Sequence, residues 1–553
     1  MPVKHSYSDD FHAITSSKSF CFCVLLTALA AFGFATFNMA VSVDDLQGYL
    51  YTGIGNNMLA SGRFTIYLVD HLTSSTVRGP VVAYINDIIA IVGMVWASIN
   101  FCILFRRVCG DAITNAACTV FTCFFISYPL ITELWEYIGA YRVVAFGFVC
   151  DSFVLLLMFD VIHKKASNQW KSILISCILM MLVSAGYESL IPVYIFCVCA
   201  VLCLQVIYGN EKEKTLAEII RQGLCYAGIL VIGLVLRIVV HKIILFALQI
   251  EPAVNGDTVI RWGSAPFLLT LIRTLWLVLR NYVLQAIIYF PLTELVVAAL
   301  FLFVIGMICG KRYGWAILLP GFGMYLSLII LCLVQGFVVG YRACQVFSVF
   351  VAFTAMIIVL LAERQQRPWL RVAVLLLCGY LCFHQANQTN YYLTLNYLRS
   401  EEELHVVRDI GEDLQENFDM DKPVVFVGSY HLRPEIVEAA SIPEDSVRWQ
   451  AYRKISKILE RLFERMNFEF DKPDRKLTES NVLSVISFGM GAFNGSQEPL
   501  QRLFSFAGYD YIMPRNELHI SEAKAYVEEY DVPSYPKAGY ITDVGEYIIV
   551  HLH

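Results

Sequence analysis

The chain has 553 residues, of which 57% are hydrophobic and 14% aromatic, and its mean hydropathy is +0.59. The apolar residues fall in runs long enough to cross a bilayer, which excludes a soluble globular enzyme and predicts a polytopic α-helical membrane protein. The net charge of −6 is the sum of two regions of opposite sign: residues 1–384 have a net charge of +5 and residues 385–553 a net charge of −11. We therefore expect a transmembrane domain over 1–384 and an acidic soluble domain over 385–553.

The first apolar run, Phe20–Val41, has about the length of one spanning helix. No small-x-small cleavage site follows it, so we expect it to remain as a span. Ten further runs follow, and the eleven predicted spans are 20–41, 81–105, 112–133, 140–162, 172–186, 190–208, 224–246, 291–309, 313–335, 343–361 and 368–384.

Cationic residues cluster on one side of these spans. They are Lys4, Lys18, Arg106, Arg107, His163, Lys164, Lys165, Lys212, Lys214, Lys311, Arg312, Arg364 and Arg367. The positive-inside rule makes that side the cytoplasm. We therefore expect a multi-pass cell-membrane protein whose first loop and C-terminal domain are extracytoplasmic.

The apolar stretch Ser264–Phe290 tests this topology, because it contains Arg273 and Arg280 seven residues apart, on nearly one face of a helix. We expect an interfacial or re-entrant helix on the outer side. The alternative is a true span with two snorkelling arginines, which would invert every later cationic cluster.

The C-terminal domain has the pattern of an α/β fold. A helical stretch over 392–417 precedes a short buried strand at 423–428, and a second strand is predicted at 481–488. Apolar residues recur at helical spacing from Trp449 to Met466, and a closing hairpin is predicted over 540–550. All 17 cysteines lie between Cys21 and Cys382, and we interpret them as small apolar residues rather than as disulfides or metal ligands.

Two adjacent carboxylates, Asp44 and Asp45, directly follow the first span. A carboxylate at the outer membrane surface can act as a general base on an acceptor hydroxyl. The alternative is that the two aspartates only cap a helix or face solvent.

Arginines, carboxylates and tyrosines gather in the other outer loops. Arginine can bind a lipid phosphate through two hydrogen bonds, and aromatic rings suit sugar faces and the membrane interface. The candidate substrate-binding residues are Arg63, Glu133, Tyr141, Arg142, Tyr187, Glu188, Arg273, Arg280, Tyr341 and Arg342. The alternatives are that Glu133 is a solvated loop residue, and that Arg142 and Arg237 snorkel or pair with a carboxylate.

Short motifs occur in a fixed order along the chain: Val43–Asp45, Gly62–Arg63, Pro129–Glu133, Tyr141–Arg142, Gly186–Glu188, Gly340–Arg342 and, in the tail, Val532–Ile541. In this layout nearly the whole chain resembles the bacterial serotype-converting glucosyltransferases of the O-antigen glucosyltransferase II type. They belong to the GT-C class of polytopic glycosyltransferases.

The resemblance implies a hexosyltransferase that moves a sugar, typically glucose, from a polyprenyl-phosphate donor to a cell-surface glycan on the outer face of the bilayer. It places the catalytic carboxylate in the first outer loop, with Asp44 slightly favoured over Asp45. It also implies that Glu188 and Arg342 lie near the donor sugar and phosphate. We expect no cofactor, no metal and no nucleic-acid partner.

Two other functions stay open. A flippase or transporter of lipid-linked glycans would carry ionisable residues near the membrane midplane, whereas here they gather at the outer face and Asp151 is the clearest mid-span exception. A polymerase or ligase of surface glycans would share the large outer loops and the arginines.

Overall fold

The computed structural model describes residues 6–42, 45–46, 56–73, 83–129, 131–135, 140–208, 215–253, 260–263, 266–278, 314–430, 432–439, 445–465, 497–514 and 517–552. The chain divides into two compact units. The membrane unit comprises 1–37, 54–77 and 82–391, and the C-terminal unit comprises 38–53, 78–81 and 392–553. The segment after the first span thus belongs to the C-terminal unit.

Helices make up the described part of the membrane unit. They are α1 Tyr7–Thr15, α2 Lys18–Phe37, α3 Asn56–Ala60, α4 Phe64–Thr73, α5 Ala83–Cys109, α6 Asn115–Ile126, α7 Ile131–Trp135, α8 Ala140–Ile162, α9 Gln169–Gly186, α10 Ile191–Tyr208, α11 Leu216–Leu248, α12 Phe267–Val278, α13 Gly314–Gln335, α14 Val346–Arg364 and α15 Pro368–Asn417. Short 3₁₀ turns lie at Gly110–Ala112, Glu188–Leu190 and Tyr341–Ala343.

Nine helices within the described ranges are long and apolar enough to cross a bilayer. The prediction of a polytopic helical membrane protein is therefore confirmed. The span predicted at 140–162 coincides with α8, and those near α2, α5, α9, α10, α13 and α14 agree within a few residues. The predicted span 291–309 lies outside the described residues.

The third predicted span, 112–133, is not one continuous helix. Helix α6 ends at Ile126, and a separate helix, α7, starts at Ile131. Proline at 129 lacks an N–H and disfavours helical backbone at the residue before it. Gln385 Nε2 donates to the Phe124 carbonyl at 2.7 Å and Thr389 Oγ1 to the Ser127 carbonyl at 2.7 Å. These bonds supply the partners that a broken helix needs away from water.

Two helices extend well beyond the spans predicted for them. Helix α11 has 33 residues, and α15 has 50 residues and runs without a break through the boundary expected at 384. At 1.5 Å per residue α15 is about 75 Å long, more than twice a hydrocarbon core. The division between the two units falls within it, between Tyr391 and Tyr392.

Predicted cytoplasmic clusters meet at one end of the helix bundle. Arg107 on α5 lies 3.0 Å from Asp10 on α1 and 2.8 Å from Asp160 on α8. Arg364 lies over the Tyr208 ring at 4.3 Å from its centroid. These contacts join α1, α5 and α8 at Arg107, and α10 and α14 at Arg364; the predicted topology stays a prediction.

The described part of the Ser264–Phe290 stretch forms only α12, a helix of 12 residues. Just before it, Arg261 N–H donates to the carbonyl of Gln335 at 2.8 Å and Trp262 Nε1 to that of Leu333 at 2.8 Å. The chain therefore enters α12 beside the C-terminal end of α13.

The described part of the C-terminal unit holds a three-stranded mixed sheet. Strands β1 Val424–Val427, β2 Ile541–Asp543 and β3 Ile548–His551 lie in the order β1-β3-β2, with β1 parallel and β2 antiparallel to β3. Helices α16 Pro434–Ala439, α17 Val447–Arg465, α18 Glu498–Ala507 and α19 Glu517–Glu529 complete its described elements. The predicted strand at 423–428, the helix near 449–466 and the closing hairpin are confirmed, whereas the predicted strand at 481–488 lies outside the described residues.

Alternating strand residues face two apolar layers. Val424 and Phe426 pack in one cluster with α15 and α18, and Val425 and Val427 pack in another with α19. The first cluster also contains Val41 and Leu46. The residues that flank Asp44 and Asp45 are thus part of the core of the C-terminal unit.

Candidate functional site

The segment that carries the predicted catalytic aspartates is the first-loop segment, residues 39–42 and 45–46 as described. Asp45 is fully buried. Its carboxylate accepts hydrogen bonds from the Ser42 hydroxyl at 2.8 Å and from the Ser42 backbone N–H at 3.2 Å. Asp45 therefore holds a tight turn of its own segment. Asp44 lies outside the described residues.

Helix α15 holds the N-terminal side of the first-loop segment. The backbone N–H of Val41 donates to Ser400 Oγ at 3.0 Å, and Arg399 donates to the Val41 carbonyl at 2.9 Å. Arg399 is itself fully buried and forms an ion pair with Glu403 at 3.0 Å. Both backbone groups of Val41 are therefore bound by adjacent residues of one helix.

Helix α18 holds the other side of the same segment. Arg502 donates to the Leu46 carbonyl at 3.1 Å and forms an ion pair with Glu498. The segment is thus hydrogen-bonded at positions 41 and 46, on both sides of the two aspartates. Sequence reasoning missed Arg399, Ser400 and Arg502. The one signal was an arginine and a glutamate at i and i+4 on α15, in a stretch that carries several other charged residues.

In the membrane unit, Arg142 is buried at the start of α8, with 1% of its surface exposed. Its guanidinium forms an ion pair with Asp70 of α4 and donates to Asn86 Oδ1 of α5 at 2.5 Å. This geometry agrees with the alternative that Arg142 pairs with a carboxylate. The ion pair and the bond to Asn86 together link three helices, and no pattern in the sequence pointed to Asn86.

Glu188 and Arg237 form a more accessible ion pair. The Glu188 carboxylate lies 2.6 Å from the Arg237 guanidinium, and the two side chains are 48% and 16% exposed. Glu188 starts the 3₁₀ turn after α9, where the helix ends at Gly186. The pair therefore places a carboxylate and a cation together at the end of the bundle where α9 ends.

The Gly62–Arg63 motif lies next to the Gly186–Glu188 motif. The Arg63 guanidinium lies over the Tyr187 ring, 5.7 Å from its centroid. Gly62 has φ of +75°, and a Cβ there would lie 3.1 Å from the His241 ring. His241 in turn lies 3.0 Å from the Leu59 carbonyl. Glycine is therefore required by the backbone and by the close approach of α11.

Three motif segments that are far apart in sequence pack together. Helix α7 and the 3₁₀ turn at Glu188–Leu190 both contact the 3₁₀ turn at Tyr341–Ala343. Arg342 is partly buried in that last turn, and its carbonyl accepts from Gln345 Nε2. The side chains of Glu133 and Tyr341 lie outside the described residues, so the structure gives the positions of their segments alone.

Two further candidates have a packing role in the structure. Tyr141 is 2% exposed, and its ring packs at 4.5 Å from Trp135. The Arg273 guanidinium lies over the Phe337 ring, 6.0 Å from its centroid, and that of Arg261 lies over the same ring at 4.1 Å. Arg280 lies outside the described residues. Among the described residues, no group of three or more histidine, cysteine, aspartate or glutamate side chains is arranged to hold a metal ion.

Comparison with known proteins gives a family match and one structural likeness. The crystal structure of the Archaeoglobus fulgidus oligosaccharyltransferase with zinc and sulfate is 14% identical to this chain, with a TM-score of 0.36. The likeness covers 74% of this chain and 60% of the archaeal one, so it spans less than two thirds of that protein. No curated protein matches the chain.

A family model described as Glucosyl transferase GtrII matches residues 33–360. This range is more than half of the chain, and it contains Asp44, Asp45 and all the motifs of the membrane unit. The chain belongs to the GtrII glucosyl transferase family.

Proposed function

We propose that the protein transfers a hexose, with glucose as the expected sugar, from a polyprenyl-phosphate donor to a cell-surface glycan on the extracytoplasmic side of the membrane. The observation that carries the proposal is the family match over 33–360, which includes the first-loop aspartates. The nine candidate spans found among the described residues supply a body that can meet a lipid-linked donor within the bilayer.

Asp44 is the proposed general base. It removes the proton from the acceptor hydroxyl while that oxygen attacks the anomeric carbon of the donor. The bond from that carbon to the phosphate oxygen breaks, and the polyprenyl phosphate leaves with the bonding electrons. The assignment to Asp44 over Asp45 is supported by the hydrogen bonds that already engage the Asp45 carboxylate with Ser42.

Arginines of the membrane unit are the proposed partners of the donor phosphate. Arg342 and Arg63 are partly exposed, and a guanidinium can neutralise a phosphate through paired hydrogen bonds. Glu188 is 48% exposed, and its carboxylate can accept hydrogen bonds from sugar hydroxyls. Arg142 is buried in its ion pair, so we assign it a structural role and not contact with the donor.

The proposed sidedness puts the C-terminal unit outside the cytoplasm. It is supported by the positive-inside pattern of the lysines and arginines along the chain. A reporter active only outside the cytoplasm, fused after residue 553, should be active. The same reporter fused after His163 should be inactive, and the reverse pattern would refute the topology.

The function is tested by mass spectrometry of the surface glycan from cells with and without the protein. We expect each modified repeat to gain one hexose when the protein is present. A change in chain length without a change in repeat mass would favour a polymerase. An unchanged repeat together with altered movement of the lipid-linked sugar across the membrane would favour a flippase.

A further inference from the structure

We propose that Arg399, Ser400 and Arg502 of the C-terminal unit are positioning residues, which set the conformation of the segment that carries the catalytic carboxylate. This inference rests on the proposed function, since it assumes that Asp44 acts as the base. It assigns the C-terminal unit a role in turnover that is separate from binding either substrate.

The contacts are made to the backbone, not to the aspartate side chains. Arg399 and Ser400 bind the carbonyl and the N–H of Val41 at 2.9 Å and 3.0 Å, and Arg502 binds the Leu46 carbonyl at 3.1 Å. These anchors lie three residues before Asp44 and one residue after Asp45. Hydrogen bonds therefore fix the backbone on each side of the four-residue stretch between the anchors, which contains both aspartates.

Inside the anchors, the segment is braced by its own side chains. Asp45 accepts from Ser42, and the backbone N–H of Leu46 donates to the Ser42 carbonyl at 3.2 Å. Val41 and Leu46 are 2% and 0% exposed in the core that they share with α15 and α18. The backbone next to Asp44 is thus held by packing as well as by hydrogen bonds.

The chemistry of Arg399 indicates more than packing. A fully buried guanidinium is costly unless every donor is used, and an apolar side chain would fill the same volume without that cost. Its Nε donates to Asn396 at 2.9 Å and one terminal nitrogen binds Glu403 at 3.0 Å. Those two bonds orient the plane of the guanidinium, and the other terminal nitrogen then donates to the Val41 carbonyl.

The consequence is kinetic. A displacement of about 1 Å at a reacting group can cost about 100-fold in rate, because the attack geometry is lost. Loosening either anchor should therefore lower kcat while the KM for the donor stays nearly constant, since these residues touch neither the donor phosphate nor its sugar in the proposed mechanism.

The test uses the full-length protein in lipid nanodiscs with a polyprenyl-phosphate sugar as donor. The variants are Arg502→Gln and Ser400→Ala, which are milder than substitution of the buried Arg399. The matched control is Arg433→Gln. Arg433 is an arginine of the same unit that pairs with Glu402 at 3.0 Å and makes no contact with the first-loop segment among the hydrogen bonds of the described residues.

We expect Arg502→Gln and Ser400→Ala to reduce kcat at least about tenfold, with the KM for the donor changed less than about twofold. We also expect faster amide hydrogen exchange over residues 41–46, and unchanged thermal unfolding of the rest of the unit. Arg433→Gln should match the wild type in all of these. Faster exchange with an unchanged kcat would overturn the inference, as would a kcat loss that Arg433→Gln shares.

A double-variant cycle separates this inference from the proposed function. In an Asp44→Asn background, Arg502→Gln should cause no further loss of kcat, because there is no base left to position. A multiplicative loss would mean that Arg502 acts independently of Asp44 and would overturn the inference. If Asp44→Asn and Asp45→Asn each kept full transfer, the base assignment itself would fail, whatever the result for Arg502.

Discussion

The Asp45 carboxylate accepts two hydrogen bonds from Ser42, one from its hydroxyl at 2.8 Å and one from its backbone N–H at 3.2 Å. We therefore propose different roles for two adjacent aspartates with the same side chain. Asp45 closes a turn in the core of the C-terminal unit, and Asp44 is left as the proposed base.

This relationship predicts that Asp45→Ala destabilises the C-terminal unit. The Ser42 donors would stay buried without their acceptor, at a cost of about 1–3 kcal/mol. The free energy of unfolding should therefore fall by about that amount in denaturant titrations that follow the tryptophan of that unit, Trp449. Ser42→Ala should cost less, because the backbone N–H of residue 42 keeps its partner. Equal stability of Asp45→Ala and the wild type would show that the turn does not depend on the carboxylate.

Substitution of Arg142 should act on stability. Arg142→Met leaves the Asp70 carboxylate without the guanidinium at a site where the arginine side chain is 0% exposed. Breaking a buried ion pair by removing one partner costs about 3–5 kcal/mol, whereas replacing both partners is far milder. Thermal unfolding in nanodiscs should therefore show a large loss for Arg142→Met and partial recovery for Arg142→Met with Asp70→Leu. A double variant less stable than the single one would contradict the structural role.

At the exposed ion pair of Glu188 and Arg237, we expect a loss of activity with little loss of stability. Glu188→Gln should change the free energy of unfolding by less than about 1 kcal/mol, since solvent screens a pair with a half-exposed carboxylate. Transfer should nevertheless fall at least about tenfold, because the carboxylate is proposed to bind sugar hydroxyls. The comparison is with Arg237→Gln, which removes the same ion pair but keeps the carboxylate. Equal kinetic loss in both variants would mean that only the pair matters.

Two tyrosines predict how the C-terminal unit responds to alkaline pH. Tyr535 donates to Asp409 at 2.9 Å and Tyr540 donates to Asp413 at 2.6 Å. Burial, followed by the hydrogen bond and the charge of the partner carboxylate, raises the pKa of both phenols. The folded state thus keeps these protons above about pH 10, where an unfolded tyrosine loses its own.

The stability that these two phenols contribute is fully present below the pKa of a tyrosine in the unfolded chain, and it is lost as the pH rises above about 10. Tyr535→Phe with Tyr540→Phe should lower stability at neutral pH by about 1 kcal/mol for each lost hydrogen bond. The same double variant should show a shallower loss of stability on the alkaline side. Exposed Tyr530 offers the control Tyr530→Phe, which should keep the alkaline slope of the wild type. An unchanged slope in the double variant would refute the assignment.

Helix positions in the membrane unit could be predicted because a long apolar run in a bilayer satisfies its backbone hydrogen bonds by forming a helix. The span predicted at 140–162 coincides with α8. Pro129 was a sequence signal for the break after α6, but the partners of the freed carbonyls, Gln385 and Thr389, could not be predicted because they lie more than 250 residues away in sequence. Hydropathy gives no information about which distant side chain will bind a freed carbonyl.

Strands β1 and β3 of the C-terminal unit could also be predicted, since each is a short apolar run, and β2 could be predicted because turn residues join it to β3 as a hairpin. The place of Val41 and Leu46 in the core of that unit could not. Both residues lie beside a membrane span in sequence, and their apolar character agrees equally well with either environment. Only tertiary contacts, such as the bond from Arg399 to Val41, separate the two possibilities.

The candidate substrate residues were predicted by residue type and by order along the chain, which gave their loops but not their partners. Arg142 and Arg237 were both recognised as possible partners of carboxylates. The structure provides Asp70 for the first and Glu188 for the second, and only the second pair is accessible. Burial distinguishes two arginines that the sequence presents as equivalent.

The most direct test is the rate of sugar transfer by purified protein in nanodiscs, measured with a polyprenyl-phosphate glucose donor and an isolated surface glycan. The wild type should transfer the sugar, and Asp44→Asn should lose at least about 100-fold in kcat, as removal of a general base requires, with unchanged thermal unfolding. Full transfer by Asp44→Asn, or no transfer by the wild type from this donor, would contradict the account.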